Sequence, residues 1–393
     1  MSPAGAERAS RADENENPDQ WRQPCLGDSY EGDEEPAGPP PGRPLRSGFT
    51  TGTAATAAAL AAARLLAGET RPGTVRVNLP GGGSLTVAVA GGRRLGPDTA
   101  EAMVVKDAGD DPDVTNGAVI GVRLRRREGQ DLVLSGGPGV GRVTKPGLVL
   151  PPGEWAINPG PRAILATNLA PFPGGLAVEI FVENGEALAA KTLNPRLGIV
   201  GGLSILGTTG LVKPFSHEAY LATIDSALSL ARALGLKEIV LTTGRQSEKL
   251  AREKRPDLAE EAFIQIADFF RDSLEKAAAG GFETISLAVF FGKAIKQAAG
   301  LANTHAGRGD QDPALLAGWL AEAAPPAVLA GLAQALTARA ALALLKEAGA
   351  VHPAAEAVAA RVLAAARLWA GPGPRLRLLL FDYDGELLAS KGP

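Results

Sequence analysis

At 393 residues the chain is long enough for two domains and a large core. A formal net charge of -3 excludes bulk attraction to nucleic acid, and a single cysteine, Cys25, excludes a disulfide framework or a cysteine metal site. Only three histidines occur, His217, His305 and His352, which argues against a multi-histidine metal site. There is no N-terminal apolar targeting run, and the longest apolar-glycine stretch is too short to span a bilayer, so the expected location is the cytoplasm with no membrane partner.

Residues 1–44 are acidic, rich in proline and glycine and poor in apolar side chains. Such a segment cannot bury enough surface to offset its ordering entropy, and it reads as a disordered tail, with a docking arm as the alternative. A helix is expected over 53–66, built from alanine, leucine and arginine, capped by Thr50 or Thr51 and closed by Gly68. Residues 74–79 and 84–90 alternate as strands about a Pro-Gly-Gly-Gly turn, and further strands are expected over 103–106, 118–125, 132–134 and 176–182.

Past Lys213 the pattern becomes strand–helix alternation. Helices are expected over 217–234, 247–254 and 260–279, strands over 238–241 and 284–290, and alanine-rich helices over much of 312–370. Residues 375–381 and 386–390 read as a closing hairpin around Asp384-Gly385. The fold class is therefore α/β in two domains. An α+β domain over 45–212 carries the glycine-rich motifs, and 213–393 forms a doubly wound, mainly parallel α/β domain. No internal repeat is visible.

The run from Leu197 to Val212 is apolar enough to be buried, yet glycine sits at 198, 201, 202, 207 and 210. Glycine weakens regular elements, so this spacing points to turns or close backbone approach, and to the floor of a ligand site rather than a core. Gly48-Phe-Thr-Thr-Gly-Thr53 opens a helix, where exposed N–H groups and hydroxyls make an anion cradle; a plain N-cap is the simpler reading. Lys106-Asp-Ala-Gly-Asp-Asp-Pro-Asp113 packs four carboxylates into a turn without the spacing of a calcium loop, and suits either a solvated turn, a proton acceptor or a partner for a cation. Gly136 to Lys145 is glycine-rich but lacks the Walker order of a phosphate loop. Thr242-Thr-Gly244 follows a strand, where α/β sheets hold nucleotide-like ligands, but no G-x-G-x-x-G accompanies it.

These motifs bring a family into view. Lys191-Thr-Leu-Asn-Pro-Arg-Leu-Gly-Ile-Val-Gly-Gly-Leu-Ser-Ile-Leu-Gly-Thr-Thr-Gly210 resembles the signature of cobalt-precorrin-5B C1-methyltransferases of anaerobic cobalamin biosynthesis. Gly48 to Thr53, Val105 to Thr115, Gly139 to Gly147, Ala156 to Pro159, Gly292-Lys293 and Asn303-Thr-His305 match the family in the same order. The resemblance covers the chain from about Arg46 onward. It departs at Ala54, where the family often has cysteine, at Asn116, where it often has histidine, and at Val289-Phe290-Phe291, where a Gly-His pair precedes Gly292-Lys293.

The resemblance implies methyl transfer from S-adenosylmethionine to C-1 of cobalt-precorrin-5B, giving cobalt-precorrin-6A, with cobalt arriving only inside the tetrapyrrole substrate and no metal held by the protein. Channelling of that substrate from other pathway enzymes and a homo-oligomeric state are compatible with it. On this reading Thr50, Thr51, Lys106, Lys145, Lys191, Asn194, Arg196 and Lys293 are candidate substrate-binding residues, with Arg142 and Lys296 as further cations. Arg196 is expected to fork onto a substrate carboxylate. Gly201, Gly202, Ser204, Gly207, Thr208, Thr209, Thr243 and Gly244 are the candidate cofactor-binding residues. Asp107, Asp110 and His305 are the candidate proton acceptors, with the aspartate turn preferred; for His305 a hydrogen-bonding structural role stands equally open. Two rival functions remain: a phosphotransferase using residues 136–145, and a non-catalytic tetrapyrrole carrier.

Overall fold

The structure, a computed structural model, describes residues 44–305, 314–321 and 324–392. The described residues belong to one compact unit with two large hydrophobic cores, one drawn from residues between 54 and 205 and the other from residues between 224 and 389. The expected tail at 1–44 lies, but for Pro44, outside the described residues.

The first core forms around one helix. After the short strand β1 (Gly48–Phe49), α1 (Thr51–Leu66) runs with every residue buried except Arg64. A helix apolar on all sides must be enclosed on all sides, and its alanines allow close approach from each. On one side lies the hairpin of β2 (Thr74–Asn78) and β3 (Ser84–Ala88). Next come β4 (Gly91–Arg94), β5 (Thr99–Val105), β6 (Val119–Arg127) and β7 (Leu132–Gly136), followed by the two-residue strands β8 (Gly139–Val140) and β9 (Arg142–Val143). Then follow α2 (Pro159–Leu169), β10 (Gly175–Val182) and α3 (Gly185–Ala189). A five-stranded sheet in the order β4-β5-β6-β10-β7 packs on α1, antiparallel except for the β10–β7 pair. The elements β4, α2 and α3 go beyond the sequence expectations. In α2 the prolines 159 and 161 resemble a loop, yet proline is tolerated in a first helical turn.

The glycine-rich run contributes β11 (Ile199–Val200), β12 (Gly202–Leu203) and β13 (Leu211–Val212). They pair with β9, β8 and β1 respectively, stitching the run to three earlier parts of the chain.

The second core is an α/β sandwich. It comprises α4 (His217–Ala233), β14 (Glu238–Thr242), α5 (Arg245–Lys254), β15 (Phe263–Gln265), α6 (Phe270–Ala279), β16 (Thr284–Phe290) and α7 (Phe291–Ala298). Helices α8 (Ala314–Trp319), α9 (Pro326–Gln334), α10 (Ala338–Glu347) and α11 (Val351–Ala370) precede the hairpin of β17 (Arg375–Phe381) and β18 (Leu387–Lys391). The sheet order is β15-β14-β16-β17-β18, with parallel pairs except β17–β18. Ile239, Leu241, Ile285, Leu287, Val289, Leu378 and Leu380 point into the larger core, while Val240, Ala288, Leu379 and Phe381 point to the opposite face with Ala251 of α5.

One expected element is corrected. Residues 260–279 are not a single helix. Glu260–Ala262 is a 3-10 turn, Phe263–Gln265 is the edge strand β15, and helix resumes only at Phe270 after Ala267 adopts φ 46. Pairing with β14 and burial of Phe263 and Ile264 override the helical propensity of the flanking glutamates and alanines.

Candidate active site

Four of the five glycines of the 197–212 run, Gly198, Gly202, Gly207 and Gly210, serve the chain's own packing. A Cβ on Gly202 would collide with the Gly139 carbonyl oxygen, and one on Gly207, at φ +123, would collide with the Thr50 side chain. Asn194 clamps the run by donating from Nδ2 to the Gly202 carbonyl (3.0 Å) and accepting from Ser204 Oγ at Oδ1 (3.2 Å). The close approaches at Gly202 and Gly207 are therefore chain on chain, while Gly201 faces open space. Of the candidate cofactor residues in this run, Gly202 and Ser204 are buried, Gly207 is half-buried, and Gly201, Thr208 and Thr209 are exposed.

The threonines at the start of α1 close the same knot. Thr50 is the N-cap, accepting from the Thr53 amide, and its own amide donates to the Gly210 carbonyl (3.1 Å). Thr51 Oγ1 accepts from the Leu206 amide (2.9 Å) and contacts the Ser204 carbonyl (3.2 Å), while the Gly52 amide donates to the Leu206 carbonyl (3.0 Å). The amides of Thr50, Gly52 and Thr53, expected to cradle an anion, thus donate within the chain. The 136–145 loop is spent likewise: the Gly137 amide donates to Ile180, that of Gly141 to Leu203, and Thr144 Oγ1 to the Gly198 carbonyl. Arg142 lies over the Trp155 ring, 3.9 Å from its centroid.

The aspartate turn is a pair of ion pairs. Arg46 forks onto Asp107, whose Oδ1 also accepts from the Gly109 amide (2.8 Å), and the Arg46 amide donates to Asp110 Oδ2 (2.7 Å). The hydrogen bond from Arg46 holds the Asp107 carboxyl below its ordinary range, which makes it a weaker base than expected. Lys106, almost fully buried, pairs with Asp113 (2.7 Å), which also accepts from the Thr115 amide and hydroxyl. Burial pushes Asp113 up, but Lys106 and Thr115 outweigh it and hold the carboxyl low. Asp111 is the exception. Burial raises it, against one hydrogen bond from the Phe215 amide (2.9 Å). Sequence reasoning passed over Asp111, because which of the four carboxylates meets Arg46 or Lys106 is decided only by the folded turn.

The two cores meet across a set of ion pairs. Arg196 forks onto Glu248 of α5 with 2.9 and 2.8 Å contacts and donates to the Phe263 carbonyl (2.9 Å). Gln265 Nε2 donates to the same carboxylate (2.8 Å). Lys145 Nζ donates to Glu261 (2.7 Å), which lowers the Glu261 carboxyl. The fork of Arg196 thus holds a carboxylate of this chain, and the residue also lines both of the cavities described next.

Two cavities flank that ion pair. One, of about 560 Å³, is lined by Arg196, Arg245, Glu248, Lys249, Arg252 and Gln265, together with Glu253. It opens at the amino end of α5, where Gly244 is the N-cap and Ser247 Oγ accepts from the Gly244 amide (3.0 Å) and from Thr243 Oγ1 (3.3 Å). This is the carboxyl edge of the parallel sheet, the usual ligand side of such folds. The other cavity, of about 240 Å³, shares Arg196 and Gln265 and has walls that include Leu193, Leu197, Tyr220 and Ile264, with Glu260 and Glu261. Of the candidate residues Arg196 lines both cavities, and Gly244 caps the helix whose first turns line the larger one.

The remaining candidates lie elsewhere. Lys293 pairs with Asp268 (3.3 Å), which accepts from Thr304 Oγ1 (2.6 Å); buried Lys296 donates to the Thr304 carbonyl (2.8 Å). His305 is exposed, its amide donating to Asn303 Oδ1 (3.0 Å). His217 packs edge-on against Phe269, and Tyr220 stacks on the same ring. Lys191 is exposed. Among the described residues no group of three or more His, Cys, Asp or Glu is placed to hold a metal ion, and no helix is long and apolar enough to cross a membrane.

Fold and cleft together define a mixed α/β protein with a ligand-sized, cation-rich cavity at the amino end of α5. The chain matches the family model CbiD over residues 39–214 and that of the CbiD C-terminal domain over 303–392. It is 47% identical over 370 residues to the cobalt-precorrin-5B C(1)-methyltransferase of Nitratidesulfovibrio vulgaris, covering 90% of this chain and 95% of that protein. It is 44% identical over 356 residues to the protein of the same name from Citrifermentans bemidjiense, covering 88% and 98%. A crystal structure of a cobalamin biosynthesis protein from Archaeoglobus fulgidus aligns at 30% identity over 63% of this chain and 78% of that one, with a TM-score of 0.35. The chain belongs to the CbiD family, and is thus an enzyme of the C-methyltransferase class.

Proposed function

We propose that this enzyme transfers a methyl group from S-adenosylmethionine to C-1 of cobalt-precorrin-5B, forming cobalt-precorrin-6A in the cytoplasm. The observation that carries this reading is the near full-length similarity to relatives bearing that name, extending through both cores. Cobalt enters as part of the substrate. The phosphotransferase alternative is not favoured, since the 136–145 amides that would cradle a phosphate donate to carbonyls.

The residues around the smaller cavity suit the donor. Apolar Leu193, Leu197 and Ile264 with the Tyr220 ring offer a wall for an adenosyl group, and Glu260 and Glu261 offer acceptors for ribose hydroxyls. When bound, the donor supplies an electrophilic methyl on sulfur. The chain's part is to align the ring carbon with that methyl, exclude water and accept one proton. In the aspartate turn Asp107 is engaged by the Arg46 fork, while Asp111 accepts from the Phe215 amide and makes no salt bridge among the described residues, which leaves Asp111 the freer proton acceptor. We further read 45–212 and 213–393 as separate domains and the second sheet as doubly wound. Purified enzyme with authentic substrate should release S-adenosylhomocysteine and add one methyl mass. Tight binding of the tetrapyrrole with no turnover would instead identify a carrier.

A further inference from the structure

The amino end of α5 carries two exposed cations, Arg245 and Lys249. Arg245 opens the helix, where the macrodipole is positive and cations destabilise. Lys249 follows one turn later and Arg252 two turns later, so all three lie along one face of the helix and line the 560 Å³ cavity. Glu248, the nearest carboxylate, is saturated by Arg196 and Gln265, with Arg252 at 3.8 Å. Arg252 has a partner of its own in Glu260 (3.1 Å). Among the described residues neither Arg245 nor Lys249 makes a salt bridge, and Glu253, also at the cavity, pairs with neither. Arg245 and Lys249 are exposed and hold no carboxylate of this chain among the described residues, so their side chains are open to an anion that enters the cavity.

We infer that this cavity binds carboxylate side arms of a tetrapyrrole, with Arg245 and Lys249 as the principal cations. This rests on the methyltransferase reading for the identity of the ligand, but not for the site. Arg245 forks onto one arm and Lys249 supplies a point charge to a neighbouring arm. The ion pair of Arg196 with Glu248 forms the rigid inner wall, which keeps Glu248 from competing for the two outer cations.

The test is fluorescence titration of the full chain with uroporphyrin III, an octacarboxylate, and coproporphyrin III, a tetracarboxylate. The parent should bind uroporphyrin more tightly. Arg245→Gln/Lys249→Gln should weaken uroporphyrin binding by at least about tenfold and bring it close to that of coproporphyrin, with S-adenosylhomocysteine binding unchanged. Arg245→Lys/Lys249→Arg should recover part of the loss, and Arg125→Gln, an exposed cation on β6, should change nothing. Equal uroporphyrin affinity in parent and double variant overturns the inference, as does failure of the parent to bind. Turnover with cobalt-precorrin-5B decides the methyltransferase reading separately: an active parent with an unaffected double variant removes only the site, and an inactive parent whose uroporphyrin binding collapses in the variant removes only the reaction.

Discussion

The glycine-rich run and the amino end of α5 are opposites. In the run, amides, hydroxyls and glycine gaps are taken up by the chain itself: Thr51 holds Leu206, Asn194 holds Gly202, and Gly202 presses on Gly139. At α5 a cavity opens, and two exposed cations, Arg245 and Lys249, make no salt bridge among the described residues. The first region has the more conspicuous sequence and the more closed structure. A conspicuous motif therefore marks where the backbone must approach closely, whereas exposed cations around an open cavity mark where an anionic ligand can be met.

Substitution in the closed region should have the largest effect. Gly202→Ala sets a methyl against a backbone carbonyl that cannot swing away, and should cost at least about 3 kcal/mol of stability. Chemical denaturation measures it; a near-parental midpoint would show that the run has slack.

The ion pair joining the two cores should come next. Arg196→Ala leaves Glu248 buried without its fork, at a cost of about 2–4 kcal/mol, below the full buried-pair value because Arg196 is a quarter exposed. Arg196→Met/Glu248→Leu should be milder than the single change, since no charge is stranded. A double variant as unstable as the single would mean that Glu248 is not what Arg196 serves.

The smallest effects are those of pH. Asp113 is lowered in the folded state, so its stabilisation is present above the unfolded value of about 3.9 and is lost as pH falls through the folded value. Lys106→Met should reduce stability at neutral pH and flatten its fall on the acid side. Asp111 has the opposite sign. Its raised carboxyl favours the fold below the unfolded value and loses that advantage as pH rises through the folded one. Asp111→Asn, which keeps an acceptor for the Phe215 amide, should remove that loss near neutrality. Urea midpoints across pH check both, and identical profiles for Asp111→Asn and parent would contradict the environment assigned to Asp111.

Much of the fold is legible in the sequence because local pattern and tertiary role agree. The strand at Thr284–Phe290 is mostly apolar and buried on both faces, and the alanines and leucines of α1 announce a helix. Where a short buried strand sits between helix formers, as at Phe263–Gln265, local pattern points the wrong way and sheet pairing decides. The site divides similarly. Arg196 stands out in sequence, but its partner is 52 residues away on another element. Arg245 and Lys249 look like ordinary helix-surface charge until the fold places them at a cavity whose nearest carboxylate is already occupied.

The most direct test of the reaction is positional. Enzyme supplied with cobalt-precorrin-5B and S-adenosylmethionine carrying a 13C-labelled methyl group should give a product with one enriched methyl, located at C-1 by carbon NMR, together with one equivalent of S-adenosylhomocysteine. Label at any other ring carbon, or none in the tetrapyrrole, would contradict the account.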